Sequence, residues 1–169
     1  MNYNPNHHEV YISLGSNVGD RVDNCRKAIS AVNSCEGCVV EAQSCLYETE
    51  PVDMEGADWF VNGVVSVETS LEPKTLLVTL QAIERTMGRS PEHARLSPRT
   101  LDLDLLFFDE RILRTKDLQL PHPRLHERRF VLRPLCDIAP ELVHPILRKT
   151  VRSLLTNLED GEQKVVLYE

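Results

Sequence analysis

Apolar positions recur along this chain with two different periods, and the changes between them mark the predicted elements. Continuous or alternating apolar runs predict β-strands at residues 10–14, 39–47, 60–67, within 98–108, at 112–113 and at 165–167. A spacing of three to four residues predicts a helix from Asp20, which can cap it, to about residue 35. A second helix is predicted from Pro73 to a stop at Gly88. Further helices are predicted at residues 128–136 and 151–158, whereas residues 1–8 are predicted to be a frayed polar start and residues 48–58 an acidic loop.

The order of these elements indicates the fold class. Strand, helix, strand, strand, helix, strand is the order of the ferredoxin-like plait, an α+β fold whose sheet carries its helices on one face. The later elements are then additions C-terminal to this βαββαβ core. The chain has no repeats, low-complexity tracts or Gly/Ser linkers, so residues 1–169 are predicted to form one domain. This architecture hosts many functions and does not decide among them.

Two aspartates on one predicted strand carry the most specific chemistry. Alternation in the run PRTLDLDLLFF puts Asp102 and Asp104 on one face, about 7 Å apart, with leucines on the other. Paired carboxylates are costly in a half-buried sheet unless a cation neutralises them, and Mg²⁺ prefers oxygen ligands completed by water and substrate phosphates. Arg99 adds a planar fork suited to phosphate oxygens. We therefore predict a phosphoryl-transfer site with paired metals; the alternative is an edge strand whose acidic face is only solvated.

The distribution of charge agrees with a phosphate ligand. The chain has 19 Lys and Arg against 26 Asp and Glu, a net charge of −7, which is unfavourable for a general nucleic-acid-binding protein. Residues 85–133 nevertheless hold 11 basic and 7 acidic residues. A local positive region around the two aspartates favours a small polyphosphate held by arginines and metal.

Cysteine content and hydropathy bear on the compartment. No apolar stretch approaches the roughly 20 residues that a membrane span requires, and residues 1–8 lack a secretion leader. An odd number of cysteines predicts free thiols in a reducing cytoplasm; they are Cys25, Cys35, Cys38, Cys45 and Cys136. The Cys35–Cys38 spacing has no second ligand pair beside it, so an incidental role is favoured over zinc binding.

Four motifs, in order, match one family. They are YISLGSN at residues 11–17, SPRTLDLD at 97–104, LPHP at 120–123 and RRFVLRPL at 128–135. The chain thereby resembles the 6-hydroxymethyl-7,8-dihydropterin pyrophosphokinase family, folate-pathway enzymes that move a pyrophosphoryl group from ATP to the pterin alcohol and release AMP. The resemblance covers nearly the whole chain.

The resemblance implies a metal and phosphate centre. Asp102 and Asp104 are similar to the ligands of two Mg²⁺ ions that bridge the ATP phosphates, and such a pair clamps the attacking and leaving oxygens. Arg89 and Arg99 resemble the phosphate-contacting arginines that stabilise charge on the transferred group. These four residues are the predicted catalytic set.

The resemblance also implies further ATP contacts. His122 and Arg128 resemble residues that bind ATP, and Gln81 and Glu84 match helix positions that line the nucleotide site. Taken without the family, Gln81 and Glu84 read as a solvated helix face, and His122 between two prolines reads as a turn residue.

The pterin is expected between aromatic rings. Phe60 and Phe130 resemble the two rings that sandwich the heterocycle, and Asn62 and Thr49 resemble the groups that bind its polar rim. Two alternatives stay open at this point. Both rings could be ordinary core, and Asn62-Gly63 could be a type I′ hairpin turn instead of part of a continuous strand.

Two other functional classes compete with the pyrophosphokinase. One is a ferredoxin-like ligand-binding module without catalysis, which the combination of aspartates, arginines and histidine disfavours. The other is a two-metal nucleotidyl transferase similar to a polymerase palm, which the acidic net charge disfavours. The expected partners are ATP and 6-hydroxymethyl-7,8-dihydropterin, with no nucleic acid or membrane, and the protein is expected to be a cytoplasmic monomer.

Overall fold

In the part of the chain that the structure describes, the fold is mixed α/β, with an antiparallel sheet and four helices. The structure is a computed structural model that describes residues 6–52, 56–88, 100–158 and 163–168. Its strands are β1 (His8–Ser16), β2 (Cys38–Gln43), β3 (Tyr47–Thr49), β4 (Phe60–Thr69), β5 (Asp102–Phe108), β6 (Leu113–Arg114), β7 (Gln119–Leu120) and β8 (Val165–Leu167). Its helices are α1 (Arg21–Asn33), α2 (Pro73–Thr86), α3 (Arg129–Ile138) and α4 (Val151–Asn157), with a 3₁₀ turn at Leu125–Glu127.

The main sheet is built around β1 and β4. Its strands follow the order β5-β1-β4-β3-β8, and β2 pairs with the far end of β4. Every pairing in this sheet is antiparallel, and β1 is hydrogen-bonded to β4 from His8 to Ser16 and to β5 from Val10 to Gly15. Strands β6 and β7 form a separate two-stranded ribbon.

Side chains of β1 alternate between two apolar layers. Val10, Ile12 and Leu14 pack with α1 and α2 on one face, whereas Tyr11 packs with α3 and α4 on the other. The expectation of helices on one face was therefore incomplete, since α3 and α4 cover part of the opposite face. The physical reason is that Leu106 and Phe107 of β5 give that face an apolar end on which α3 can bury its own apolar residues.

The predicted strand over residues 39–47 was wrong as a single element. It breaks after Gln43 because Ser44 replaces the regular ladder: its backbone N–H donates to Val64 O at 2.9 Å, and its Oγ accepts from Val64 N at 2.9 Å. Leu46 then crosses over Gly63, where an added Cβ would lie 2.9 Å from Leu46 Cδ2. The chain resumes as β3, which takes Glu48 and Thr49 out of the predicted loop.

Three further predictions concern β4, the start of β1 and the cap of α1. Strand β4 runs through Asn62 and Gly63 without a turn, so the continuous-strand interpretation is confirmed and the hairpin alternative is excluded. The predicted fraying as far as His8 was wrong, because His8 begins β1 and its Nδ1 lies 2.7 Å from Asp109 Oδ2. The predicted cap is confirmed, since Asp20 Oδ1 accepts from Asp23 N at 3.0 Å.

A buried histidine in the loop that precedes α4 should make the protein less stable in mild acid. His144 is 4% exposed, and its Nδ1 accepts hydrogen bonds from the backbone N–H groups of Ile146 and Leu147. Burial, and next the nearby His126, lower the pKa of His144 below its ordinary value of 6.5. In mild acid His144 therefore binds a proton in the unfolded chain but stays neutral in the folded chain. The free energy of unfolding should consequently fall as the pH decreases below about 6.5.

The variant His144→Asn isolates this contribution, because the asparagine oxygen can still accept from the two N–H groups. Urea unfolding of the wild type and the variant at pH 7.5 and 5.5 should show a smaller decrease between the two pH values in the variant. Equal decreases would show that His144 does not titrate on unfolding.

Candidate active site

The two aspartates lie as the alternation predicted. In the pairing of β5 with β1, Asp102 is opposite Gly15 and Asp104 is opposite Ser13, so both carboxylates project from the same face and are half-buried. The leucines between and beside them are buried on the other face, Leu103 at 6% and Leu105 at 4% exposure.

Glu84 lies beneath this strand rather than on a solvated face. It is 3% exposed on α2, and its Oε1 accepts a hydrogen bond of 2.7 Å from the backbone N–H of Leu103, the residue between the aspartates. Because β5 is the edge strand of the sheet, this N–H needs an acceptor from outside the ladder. Glu84 therefore holds the backbone that carries both aspartates. Gln81 is exposed on the same helix.

A β-bulge brings His122 to the site. The register of β5 against β1 shifts between Leu105 and Phe107, which leaves Leu106 as the extra residue. The backbone carbonyl of Leu106 accepts from His122 N at 2.9 Å. His122 Nδ1 in turn accepts from Arg124 N at 3.2 Å, so the proton of the neutral ring is on Nε2.

Arg128 lies close to both His122 and Asp104 at this end of the site. Burial, and next the Arg128 charge, lower the pKa of His122 to about 4, so the ring is neutral near pH 7. Arg128 Nη1 lies 3.9 Å from Asp104 Oδ2, and its guanidinium carbon is 5.6 Å from the centre of the Phe130 ring. Arg128 therefore connects the aspartate strand with the predicted pterin wall on α3.

The predicted rim-binding residues form a buried pair. Asn62 Nδ2 donates to Thr49 Oγ1 at 2.6 Å, and the two residues are 7% and 1% exposed. Gly15 is opposite Asn62 on one side and opposite Asp102 on the other, so all three share a face. With strands about 4.8 Å apart, the carboxylate and amide positions are separated by about 10 Å.

Glycine at position 15 keeps this arrangement open. A Cβ there would lie 2.4 Å from Asn62 Oδ1 and 3.9 Å from Phe60 Cδ1. The side chains of Phe60 and Asn62 therefore converge over Gly15. Phe60 is half-buried at the start of β4, and Phe130 is half-buried in the first turn of α3.

Gln163 was missed in the sequence, where it is one polar residue in a polar run. Its Oε1 accepts from Phe130 N at 3.3 Å, and its Nε2 donates to Glu50 O at 2.7 Å. The partners lie 33 and 113 residues away, so no local pattern indicated the contact.

Arg21 was missed for a similar reason. Its guanidinium donates to Trp59 O at 2.6 Å and to Glu48 Oε1 at 2.9 Å. Glu48 and Trp59 immediately precede Thr49 and Phe60, so Arg21 holds both ends of the connection between β3 and β4. A cavity of about 700 Å³ lies beside this contact and is lined in part by Asn17 and Asp58.

Two of the four predicted catalytic residues, Asp102 and Asp104, lie among the described residues. Arg89 and Arg99 lie outside the described residues, and their roles stay predictions. Across residues 6–52, 56–88, 100–158 and 163–168, no group of three or more His, Cys, Asp or Glu is arranged to hold a metal ion. Two half-buried carboxylates on one face nevertheless suit Mg²⁺, which commonly uses one or two carboxylates and completes its shell with water and substrate phosphates.

The described residues also bear on two expectations from composition. All five cysteines are free thiols, as predicted. Cys35 Sγ donates to Ala31 O at 3.2 Å, whereas Cys38 Sγ lies 3.3 Å from Thr69 Oγ1. The two thiols therefore have different hydrogen-bond partners. None of the described helices combines the length and the hydropathy that a membrane span requires.

Comparison with known proteins gives one consistent family. The family model of 7,8-dihydro-6-hydroxymethylpterin-pyrophosphokinase matches residues 11–140. The folic acid synthesis protein fol1 of Pneumocystis carinii is 42% identical over 158 residues, which are 94% of this chain and 21% of that protein. The 2-amino-4-hydroxy-6-hydroxymethyldihydropteridine pyrophosphokinase of Bacillus subtilis is 43% identical over 133 residues, 79% of each chain.

Solved structures agree at the level of the fold. The Plasmodium falciparum HPPK-DHPS with pterin and p-hydroxybenzoate matches with a TM-score of 0.71 at 19% identity, over 89% of this chain and 41% of that one. This chain thus spans about a fifth of the length of the Pneumocystis relative and most of the length of the Bacillus one.

Proposed function

This chain belongs to the 7,8-dihydro-6-hydroxymethylpterin-pyrophosphokinase family, and we propose that it transfers pyrophosphate from ATP to 6-hydroxymethyl-7,8-dihydropterin. In this reaction the hydroxymethyl oxygen attacks the β-phosphorus of ATP. The bond from that phosphorus to the oxygen of the α-phosphate breaks, and AMP leaves. The alcohol proton is released, and the other product is the pterin diphosphate.

One observation carries the proposal: the aspartates and the Asn62–Thr49 pair share one face of the sheet, with Gly15 between them. A separation of about 10 Å leaves room for a pterin ring at one end and a polyphosphate at the other. The Bacillus relative is named for the same chemistry. A domain without catalysis would have no use for both ends in this register.

The phosphate end would work by neutralising charge. Asp102 and Asp104 would hold Mg²⁺, two ions by family resemblance, and the metal would stabilise the charge that develops on the transferred group. The guanidinium of Arg128, 3.9 Å from Asp104, lies where it would add to this positive field. The Nε2–H of neutral His122 would donate to a phosphate oxygen. Arg89, Arg99, Gln81 and Glu84 keep the ATP-site roles that the resemblance implies, and Glu84 would also keep β5 in place through Leu103.

The pterin end would work by shape and hydrogen bonding. Asn62 and Thr49 are buried and already paired, so their remaining hydrogen-bonding capacity is oriented before the ligand arrives. Phe60 and Phe130 would stack on the two faces of the heterocycle, whose faces are apolar and whose rim is polar. A protein with this arrangement would select a flat heterocycle with hydrogen-bonding edges.

The proposal includes the finer fold assignment. The strand order β5-β1-β4-β2, with α1 and α2 together on one face, supports a ferredoxin-like plait to which α3, α4 and β8 are added. We treat the chain as one pyrophosphokinase domain acting as a monomer.

The test follows the adenine nucleotide. Incubation with ATP, Mg²⁺ and 6-hydroxymethyl-7,8-dihydropterin should give AMP and the pterin diphosphate in equal amounts. ADP would indicate an ordinary kinase, free pyrophosphate without pterin diphosphate a nucleotidyl transferase, and no product an inactive binding module. Each of these three results would refute the proposal.

Loss of one stacked ring should affect the two substrates differently. The variant Phe130→Ala should weaken pterin binding by about 1–3 kcal/mol, the range for base stacking on aromatic side chains, and leave ATP affinity nearly unchanged. Calorimetry with each ligand gives both values. The variant Phe130→Trp keeps a ring and is the matched control, expected to retain most of the pterin affinity. Equal losses for pterin and ATP would show that Phe130 is only core.

A further inference from the structure

We propose that Gln163 is a positioning residue that holds the N-terminus of α3 against the end of β3 and thereby sets the pterin site. The inference rests on the proposed function, because it concerns how the two walls of that site are held together. It assigns a structural part of the site to the C-terminal segment, residues 163–168, which carries none of the family motifs.

Helix α3 needs a cap from elsewhere. Its N-cap residue is Arg128, and within the described part of the chain that side chain makes no capping hydrogen bond. The guanidinium is instead directed toward Asp104 and the Phe130 ring. The first N–H groups of a helix have no partner inside the helix and are usually satisfied by the N-cap side chain. A functional arginine at this position therefore leaves the first turn of α3 dependent on another acceptor.

Gln163 supplies that acceptor and uses its other end as well. Its Oε1 accepts from Phe130 N at 3.3 Å, and its Nε2 donates to Glu50 O at 2.7 Å. The residue is 9% exposed, so these bonds are sheltered from water. One planar carboxamide thus joins the residue after β3 to the first turn of α3 and fixes the separation of the two elements.

The backbone around Gln163 is itself held in place. Strand β8 pairs with β3, with Val165 opposite Thr49 and Leu167 opposite Tyr47. Just before this pairing, Glu50 N donates to Lys164 O at 3.0 Å, and just after it Tyr168 N donates to Leu46 O at 2.8 Å. Gln163 therefore lies two residues before a strand of defined register, so the position of its backbone is fixed.

Of the two residues that Gln163 joins, one is part of the proposed pterin site and the other is next to it in the chain. Phe130 is the proposed stacking wall, and Glu50 follows Thr49, which is hydrogen-bonded to Asn62. If the carboxamide is lost, the ring and the rim-binding pair keep their own side chains but lose their fixed separation. A ligand that contacts both walls should then bind more weakly, whereas a ligand at the aspartate end should not.

The test compares Gln163→Met, which removes both hydrogen bonds, with Gln163→Glu, which keeps the acceptor and loses the donor. Gln43→Met, at an exposed position on β2, is the matched control. For Gln163→Met we expect the KM and Kd for the pterin to rise about 10-fold, because part of the stabilisation lost with the two intramolecular hydrogen bonds must be restored when the ligand binds, with kcat and ATP affinity nearly unchanged. Gln163→Glu should be intermediate and Gln43→Met silent.

Amide hydrogen exchange at Phe130 provides a readout that does not depend on activity. Exchange of this N–H should speed up in Gln163→Met and stay slow in Gln163→Glu, which keeps the acceptor. Slow exchange of the other core amides shows that each variant is folded. An unchanged pterin Kd in Gln163→Met, equal losses for pterin and ATP, or an unchanged Phe130 amide would each overturn the inference. A wild-type protein that binds pterin but releases no AMP would overturn the proposed function alone, because the Kd and exchange comparisons do not depend on turnover.

Discussion

Asp102→Asn and Asp104→Asn are each expected to lower turnover by several orders of magnitude while leaving the protein folded. Asparagine keeps the shape of aspartate but removes one negative charge from a face that has two carboxylates opposite Gly15 and Ser13. Loss of a metal clamp on a transferring phosphoryl group typically costs several kcal/mol of transition-state stabilisation, and about 1.4 kcal/mol is a factor of ten in rate. AMP formation at saturating ATP and pterin measures the effect.

In the absence of metal, the free energy of unfolding of each variant should rise slightly or stay unchanged. Like charges two residues apart on one strand face repel, so removing one relieves a repulsion of a few tenths of a kcal/mol, on the order of other same-face charge pairs. Both carboxylates also attract Arg128, which lies 3.9 Å from Asp104, so this gain is partly offset in each variant.

Asp117→Asn, exposed in the turn between β6 and β7, is the matched control and should keep normal turnover and stability. An Asp102 or Asp104 variant with near-normal turnover would refute the metal assignment. A melting temperature of the apo variant several degrees below that of the wild type would contradict the expected repulsion.

Local pattern was sufficient for the aspartate strand and for the helices that begin at Asp20 and Pro73. Side-chain direction in a strand follows from its period of two, so the shared face of Asp102 and Asp104 needed no tertiary information. The same holds for the Asp20 cap, whose acceptor and donor lie three residues apart. These predictions succeeded because the residues that determine each feature lie within a few positions of one another in the sequence.

Elements whose form depends on distant partners were predicted less well. The break in the strand over residues 39–47 comes from Ser44 and Leu46 meeting β4, about twenty residues later. Glu84 read as solvated because nothing on α2 reveals that Leu103 offers it an edge-strand N–H. A buried carboxylate is rare without a partner, and the partner is visible only in the fold.

The positioning residues of the site were beyond local pattern for the same reason. Arg21 donates to Glu48 and Trp59, which lie 27 and 38 residues later in the chain, and Gln163 joins residues 33 and 113 positions away. Family resemblance named residues expected to touch substrate, such as Asn62 and Phe130. It did not name those that hold them.

Gly15→Ala is expected to weaken pterin binding strongly and to destabilise the fold. The added Cβ would lie 2.4 Å from Asn62 Oδ1, and β1 cannot move away because it is paired on both sides. Asn62 must then rotate and break its 2.6 Å bond to the buried Thr49. An unpaired buried polar group costs about 1–3 kcal/mol, and we expect a loss of that size in the free energy of unfolding, with pterin Kd raised by about 10- to 100-fold.

Gly63→Ala separates crowding from the effect on Asn62. A Cβ at Gly63 would lie 2.9 Å from Leu46 Cδ2, the end of a flexible apolar side chain, so this variant should lose some stability and keep its pterin affinity. A double-mutant cycle then tests the cause. In an Asn62→Ala background the clash is absent, so adding Gly15→Ala should cost little further stability or affinity. Additive losses in this cycle would show that Gly15 acts through some neighbour other than Asn62.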